Sequence, residues 1–329
     1  HANVLCSHSS PKYFSTGGEM CKLIRDSVHG YIRLNKGEEK ILSSPYMQRL
    51  RTIYQNSLAH FVYPSAVGNR FCHSLGVLHV ASQILANIFE VKVPKIENKE
   101  GEDKGNDEAK DEVNEHQELK EFKSRILADM KSFGFKCKSE DEACDIYQKA
   151  VRLYALTHDI GHLPFSHATE TAFSILLNIN ESPLSLYDVI SAAHELIGLE
   201  IVFSKELEID EPVRRAVLLM GFARDLKEGS LKKLGDFKEF SDALKGLHKT
   251  VFRTAYQLIA SSIDADRADY LLRDGRNSGA EFGHFDLQRL VGSFTVGRCG
   301  GEDVFRILPS TKALSSIESF LTERVKLYQ

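Results

Sequence analysis

Residues 23–34, LIRDSVHGYIRL, alternate apolar and polar side chains around Gly30, the period-two pattern of a short β-hairpin. From Ile41 the period lengthens to that of a helix. In SSPYMQRLRTIYQNSL a serine cap and Pro45 open a helix on which Met47, Leu50, Ile53 and Tyr54 recur at helical spacing. Residues 70–90, RFCHSLGVLHVASQILANIFE, repeat the pattern with Leu75, Leu78, Ile84, Leu85 and Ile88. Helical periodicity returns in EFKSRILADMKSFGF and again from Asp141 through Leu156, and further helices are predicted at 166–178, 185–204, 210–221, 236–245 and 250–274. A second hairpin is predicted at 294–308, turning at Gly300-Gly301, and SSIESFLTERVKLYQ reads as a last helix without a terminal cap. Helices outnumber hairpins, so the fold class is mostly α, with two short β-hairpins.

Two stretches stand outside this pattern. Residues 95–121 are rich in Glu, Asp, Lys and Asn and almost lack large apolar side chains, which predicts a disordered acidic insertion that cannot offset its ordering entropy. Residues 1–21 read as an N-terminal extension or an expression remnant, leaving 22–329 as one domain, and the uncapped last helix suggests that the chain continues in a longer protein.

Composition narrows the function classes. The 329 residues are 42% hydrophobic and 27% charged with a net charge of −4, so nothing global attracts nucleic acid or an anionic membrane, and any phosphate chemistry must be local. The six cysteines form no CxxC pair, which fits a reducing compartment and argues against a thiolate zinc site. No apolar run approaches the roughly 20 residues that a membrane span requires, and no signal pattern opens the chain. The expected location is intracellular, in the cytoplasm or the nucleus.

The chemistry concentrates in LYALTHDIGHLPFSHATE, residues 153–170. His158 and His162 are four apart, which on a continuous helix places them on one face, with Asp159 rotated by about 100° from His158. Imidazole and carboxylate together suit Fe, Mn, Co, Ni or Zn. Pro164 ends regular helix, so His167 can return toward the same cleft. His73, His194-Glu195 and the acids Asp264, Asp266 and Asp269 lie in other predicted helices, and burying so many ionisable groups is costly unless they surround an ion or a charged ligand. For Asp264 a helix N-cap is an equal alternative, and Asp269 could be a surface partner for Arg273.

RFCHSLG, HDIGHLPFSH, HE and DADRADYLLRD follow one another as in the HD-domain metal phosphohydrolases, and with DSVHGYIRL and SPYMQRLR the chain most resembles their deoxynucleotide triphosphohydrolase branch. The resemblance covers residues 22–90 and 150–329. It implies an HD-domain helical fold and one divalent transition metal held by His73, His158, Asp159 and Asp266. The implied reaction is hydrolysis of a deoxynucleoside triphosphate to a deoxynucleoside and triphosphate, with Mg allowed alongside the triphosphate. His167 is the implied acid, His194 and Glu195 a neighbouring dyad, and His162 sits at the phosphates. The charged leaving group calls for cations, for which Arg70, three residues before His73, and Arg267, next to Asp266, are candidates; Arg324 is an implied phosphate contact, and Gln55, Tyr270 and Asp274 are implied sugar contacts. Lys22, Gln48 and Arg51 match a regulatory nucleotide site, although an ordinary polar helix face explains Gln48 and Arg51 equally well. The chain departs from the branch at Asn56, where leucine follows the glutamine, and at Ser43, where an acid would recognise guanine. The implied partners are a nucleotide substrate, a nucleotide effector and further copies of the chain in a dimer or tetramer, not a membrane or nucleic acid. The alternatives are an HD-type phosphatase or phosphodiesterase on another nucleotide, and a non-catalytic nucleotide- or nucleic-acid-binding regulator.

Overall fold

The structure, a computed structural model, describes residues 22–89, 106–179, 193–223, 246–298 and 304–328. It opens with strands β1 (Lys22–Asp26) and β2 (Gly30–Leu34), paired antiparallel with Ile24 opposite Ile32. Helix α1 (Lys36–Leu42) starts on a capping box in which Asn35 and Glu38 satisfy each other's backbone amides. The helix expected through SSPYMQRLRTIYQNSL is short: α2 covers Pro45–Gln48, capped by Ser44, and tightens into a 3₁₀ turn over Arg49–Thr52. It stops at Ile53, whose extended backbone accepts from the amide of Arg70 and so ties this segment to the next helix.

Helix α3 (Arg70–Phe89) is the centre of the molecule, packing against α5 (Glu140–Thr157) and α10 (Ala265–Ser278). It is also long and apolar enough to cross a membrane, but 78% of the qualifying window is buried among the other helices, which accounts for its hydropathy. Leu75, Leu78, Ile84, Leu85 and Ile88, its predicted stripe, all lie in the core. Buried polar residues interrupt this core. Arg152 pairs with Glu38 at 2.7 Å, joining α5 to α1.

The acidic insertion is a correction. Residues 106–121 belong to α4 (Asn106–Ser132), while 95–105 lie outside the described residues. Leu119, Phe122, Ile126 and Met130 follow at helical spacing and are buried, so the second half of the helix is anchored. Propagation into a segment of good helix formers then adds one bond per residue without a new nucleus.

The remaining helices are α6 (His167–Ile179), α7 (Ala193–Phe203), α8 (Glu211–Phe222), α9 (Val251–Ile259), α11 (Leu287–Gly292) and α12 (Leu314–Leu327). The predicted start of α7 at 185–192 and the helix at 236–245 fall outside the described residues. The single helix predicted over 250–274 is two. Helix α9 ends at Ile259, and Asp264 caps a new helix by accepting from the amide of Arg267 at 2.7 Å. Strands β3 (Phe294–Arg298) and β4 (Phe305–Pro309) make the second hairpin, whose turn is outside the described residues. Twelve α-helices and two hairpins among the described residues give the mostly α fold.

Candidate metal centre and adjoining histidine cluster

Helix α5 stops at Thr157, so His158 is its C-cap and Asp159 to His162 form the turn beyond it. The helix face expected to carry both His158 and His162 therefore does not exist, and the two imidazoles serve different groups. The turn is fixed by Arg49, whose role the sequence reading did not assign and which donates to the carbonyls of Ile160 and His162. It is also pressed against α7: a Cβ on Gly161 would stand 1.9 Å from the carbonyl oxygen of His194 and 2.5 Å from the amide nitrogen of Gly198. Only glycine permits that approach. The chain then passes through Phe165 and Ser166 at φ 64° and 50°, a strained pair that turns it back into α6.

The first cluster gathers His73, His158 and Asp159, each offering a donor atom within 4.8 Å of the others. His73, fully buried, comes from α3, and the other two from the turn. Asp266, near the start of α10, brings Oδ1 to 2.9 Å from His73 Nε2 and 3.7 Å from His158 Nε2. The decisive feature is His158. Its Nδ1 lies 2.8 Å from the carbonyl of Ala155, while its Nε2 is buried between the carboxylates of Asp159 and Asp266, at 3.4 and 3.7 Å, with neither in hydrogen-bond geometry. An unpaired buried nitrogen facing carboxylates and a second imidazole is the donor set that a divalent transition metal satisfies, so the residues fit such an ion. Burial raises the cost of charge on Asp159, but Arg70 and the imidazoles of His158 and His162 outweigh it and hold the carboxyl well below its usual range. His73 shows the same contest: burial opposes protonation, and hydrogen bonds with Asp266 and Asp269 lift it to about 10.

Two placements differ from the sequence reading. Arg70 is buried, donating through Nη1 to Asp159 and through Nε to Ser166 Oγ at 2.8 Å, so it holds the aspartate. Asp269 is fully buried, not a surface partner, and its carboxylate meets His73 Nδ1 at 2.7 Å, His29 Nε2 at 2.6 Å and Arg273 Nε at 2.9 Å. Arg273 also reaches Asp26 at 2.9 Å, so the first hairpin and α10 meet directly behind His73.

The second cluster contains His162, His167, Glu170 and His194. Glu170, absent from the sequence reading, is its anchor: Oε1 lies 2.7 Å from His194 Nδ1, and Oε2 2.9 Å from His167 Nδ1. The partner of His194 is thus Glu170; Glu195 lines a small cavity beside His158 instead. His162 stacks on His194 with ring centroids 3.9 Å apart and planes 10° from parallel, and its Nε2 stands 3.3 Å from Asp159 Oδ1, joining the two clusters. Burial depresses His162 to about 4, so its ring is neutral near pH 7. Burial would raise the Glu170 carboxyl, but hydrogen bonds from His167 and His194 hold it well below the usual range. His167, with its side chain 67% exposed, is the solvent-facing member.

The sugar-side candidates meet nearby. Gln55 has a buried Oε1 without a hydrogen-bond partner, and Asn56 hydrogen-bonds Asp274, which burial pushes up to about 6. Tyr270 hydrogen-bonds Tyr328. Arg267 pairs with Asp264, and Arg324 donates to the carbonyl of Ser262 at 3.4 Å, which sets both beside the start of α10. Of the candidate regulatory residues, Arg51 donates to Gln48 at 2.8 Å, whereas Lys22 pairs with Glu39 at 3.0 Å.

Comparison with known proteins now has a geometry to bear on. Residues 138–274, which include the turn, both halves of the histidine cluster and the start of α10, match the HD domain family. Within this chain, that segment is an HD domain. The HD-domain chain is 28% identical over 307 residues to the uncharacterized protein MJ1154 of Methanocaldococcus jannaschii, covering 93% of this chain and 45% of that one. It is 25% identical over 296 residues to the deoxynucleoside triphosphate triphosphohydrolase SAMHD1 of Gallus gallus, covering 86% and 38% respectively. This HD-domain chain thus spans about half the length, or less, of the curated relatives it matches. A phosphohydrolase crystal structure from Bacteroides thetaiotaomicron superposes with a TM-score of 0.56 at 25% identity, covering 94% of this chain and 54% of that one.

Proposed function

We propose that this HD domain is a metal-dependent phosphohydrolase acting on deoxynucleoside triphosphates, releasing the deoxynucleoside and inorganic triphosphate. The observation that carries the reading is the unpaired, buried His158 Nε2 among His73, Asp159 and Asp266, directly beside an acid–imidazole cluster. His73, His158, Asp159 and Asp266 would hold the metal. A divalent ion bound there supplies Lewis acidity toward a phosphoryl oxygen and lowers the pKa of water.

The chain's own groups account for the rest of the chemistry. Arg70 keeps Asp159 ionised and aimed at the centre, and Asp269 fixes the orientation of His73 through Nδ1. Glu170 anchors His194 and His167, so an imidazolium formed by either is stabilised at Nδ1 and can give up its other proton to a departing 5′-oxygen. His162, neutral by burial, has a single N–H to donate, and with Nε2 3.3 Å from Asp159 Oδ1 a bond to a phosphate oxygen would replace that contact. Arg267 and Arg324 offer positive charge to the triphosphate, and Tyr270, Gln55 and Asp274 the contacts to the sugar. The SAMHD1 relatives bear the deoxynucleoside triphosphate triphosphohydrolase name, which supports the choice of substrate. The exposed run of Phe61, Val62 and Tyr63 supports self-association, checked by light scattering on the purified protein.

The test is product identity. Purified, metal-analysed protein is incubated with each dNTP and NTP, and the phosphate product is separated by ion-exchange chromatography. Triphosphate from a dNTP, lost in Asp159→Asn, is the expected result. Orthophosphate or a nucleoside monophosphate would place the chain among phosphatases or phosphodiesterases instead, and ligand binding without turnover would make it a regulator.

A further inference from the structure

A sizeable cavity lies behind the metal centre rather than at it, open on one side between the turn of the first hairpin, α3 and the segment after α10, with a volume of about 840 Å³. That volume falls within the ~300–1,000 Å³ range of small-molecule sites. His29, His79 and Gln83 form its inner wall, and Leu272, Phe282 and Leu287 an apolar one.

Three observations define what such a space can hold. Gln83 lines the space, and its Oε1 is closed to water and without a hydrogen-bond partner, an acceptor that a ligand's N–H or O–H would satisfy once the side chain turns toward it. The rings of the lining residues His29 and His79 lie 5.1 Å apart, and burial depresses His79 to about 4, which keeps that ring uncharged. The cationic lining side chain Arg276 sits on the exposed rim and donates to the carbonyl of Ser27, with Glu281 also on the rim. A polyanion would find little charge to meet it, whereas a flat, neutral ring with a donor edge would find aromatic, apolar and acceptor surfaces together.

We infer that this cavity is a second ligand site, separate from the metal centre, that takes a neutral nitrogen heterocycle of the nucleoside class. The inference does not depend on the reaction proposed above. Its position gives it a mechanical link to the metal centre all the same: His29 lines the cavity and meets Asp269 through Nε2, and Asp269 in turn holds His73.

Isothermal titration of the full chain with adenosine, guanosine, cytidine, uridine and thymidine tests the inference. The protein is stripped of metal with a chelator, and Asp159→Asn is run in parallel to remove the metal centre as the point of attachment. At least one nucleoside should bind one-to-one, equally well to Asp159→Asn, with at least tenfold weaker affinity in Gln83→Leu and none detectable in Ala280→Trp, which fills the mouth. Thermal melting confirms that each variant is folded; if Ala280→Trp is not, Gln83→Leu decides alone. No binding at millimolar nucleoside, binding unchanged in Gln83→Leu, or binding lost in Asp159→Asn would overturn the proposal.

Discussion

Replacing Asp269 by asparagine separates the support of the metal centre from its ligands. The carboxylate is fully buried and faces donors on every side: His29 Nε2 at 2.6 Å, His73 Nδ1 at 2.7 Å, and Arg273 through Nε and Nη2, each at 2.9 Å. An amide has one acceptor oxygen and an NH₂ group that points donor against donor, and it leaves Arg273 with Asp26 as its remaining carboxylate. Breaking a buried pair in this way costs about 3–5 kcal/mol of stability. A second loss is specific to the metal. His73 loses the carboxylate at Nδ1 that fixes its ring and raises the basicity of Nε2, and outer partners of this kind are worth about 10–100-fold in metal affinity.

The two losses are told apart by a control. Glu38→Gln breaks an equally buried ion pair, with Arg152, and touches none of the candidate ligands. Both variants should unfold at lower denaturant concentration. In competition titrations with a Mn²⁺ or Zn²⁺ indicator, only Asp269→Asn should shift the dissociation constant. A folded Asp269→Asn protein that binds metal as tightly as the original chain would refute the link from Asp269 through His73 to the ion.

Three further outcomes follow from the geometry. Gly161→Ala drives a methyl into the backbone of α7 and should cost about 3 kcal/mol or more in denaturant unfolding, with activity falling as His162 and His194 lose their stacking. Glu170→Gln should lower kcat by roughly 10²-fold while metal content measured by mass spectrometry stays unchanged, because Glu170 belongs to the second cluster only. Asp274, pushed up to about 6 by burial, binds a proton in the folded chain that it releases near pH 4 when unfolded, so its contribution is present at low pH and lost as pH rises through 6. Asp274→Asn should therefore gain up to about 2–3 kcal/mol relative to the original chain at pH 7, with a difference that shrinks toward pH 4 in melts across that range; a constant difference would refute this titration.

What could be read from the sequence depended on how far apart the interacting residues lie in the chain. Periodicity located α3, α5 and both hairpins because these patterns are complete within a few turns or strands. The HD dipeptide drew attention, for the same reason, to the segment from which His158 and Asp159 approach His73. Element ends were harder: the Asp264 cap that splits 250–274 was visible as an aspartate, but its two roles could not be ranked without knowing that the amide of Arg267 needed it. The acidic composition of 106–121 was read as disorder, when the same Glu, Lys and Ala residues are good helix formers once Leu119 and Phe122 find a core to enter.

The residues whose roles were missed share one property, which is that they act on other side chains. Glu170 stands three residues after His167, a local i, i+3 relation that could have nominated it, but its decisive contact is with His194, 24 residues away. His29 and Asp269 are 240 residues apart, and their contact exists only because the first hairpin folds down onto α10. A donor set can be guessed from which residue types gather in a sequence; its support requires knowing which of them are deprived of water. Asp269 shows the difference. On a helix surface its pairing with Arg273, four residues on, would contribute a few tenths of a kcal/mol, whereas fully buried behind His73 the same pair decides how one imidazole is held.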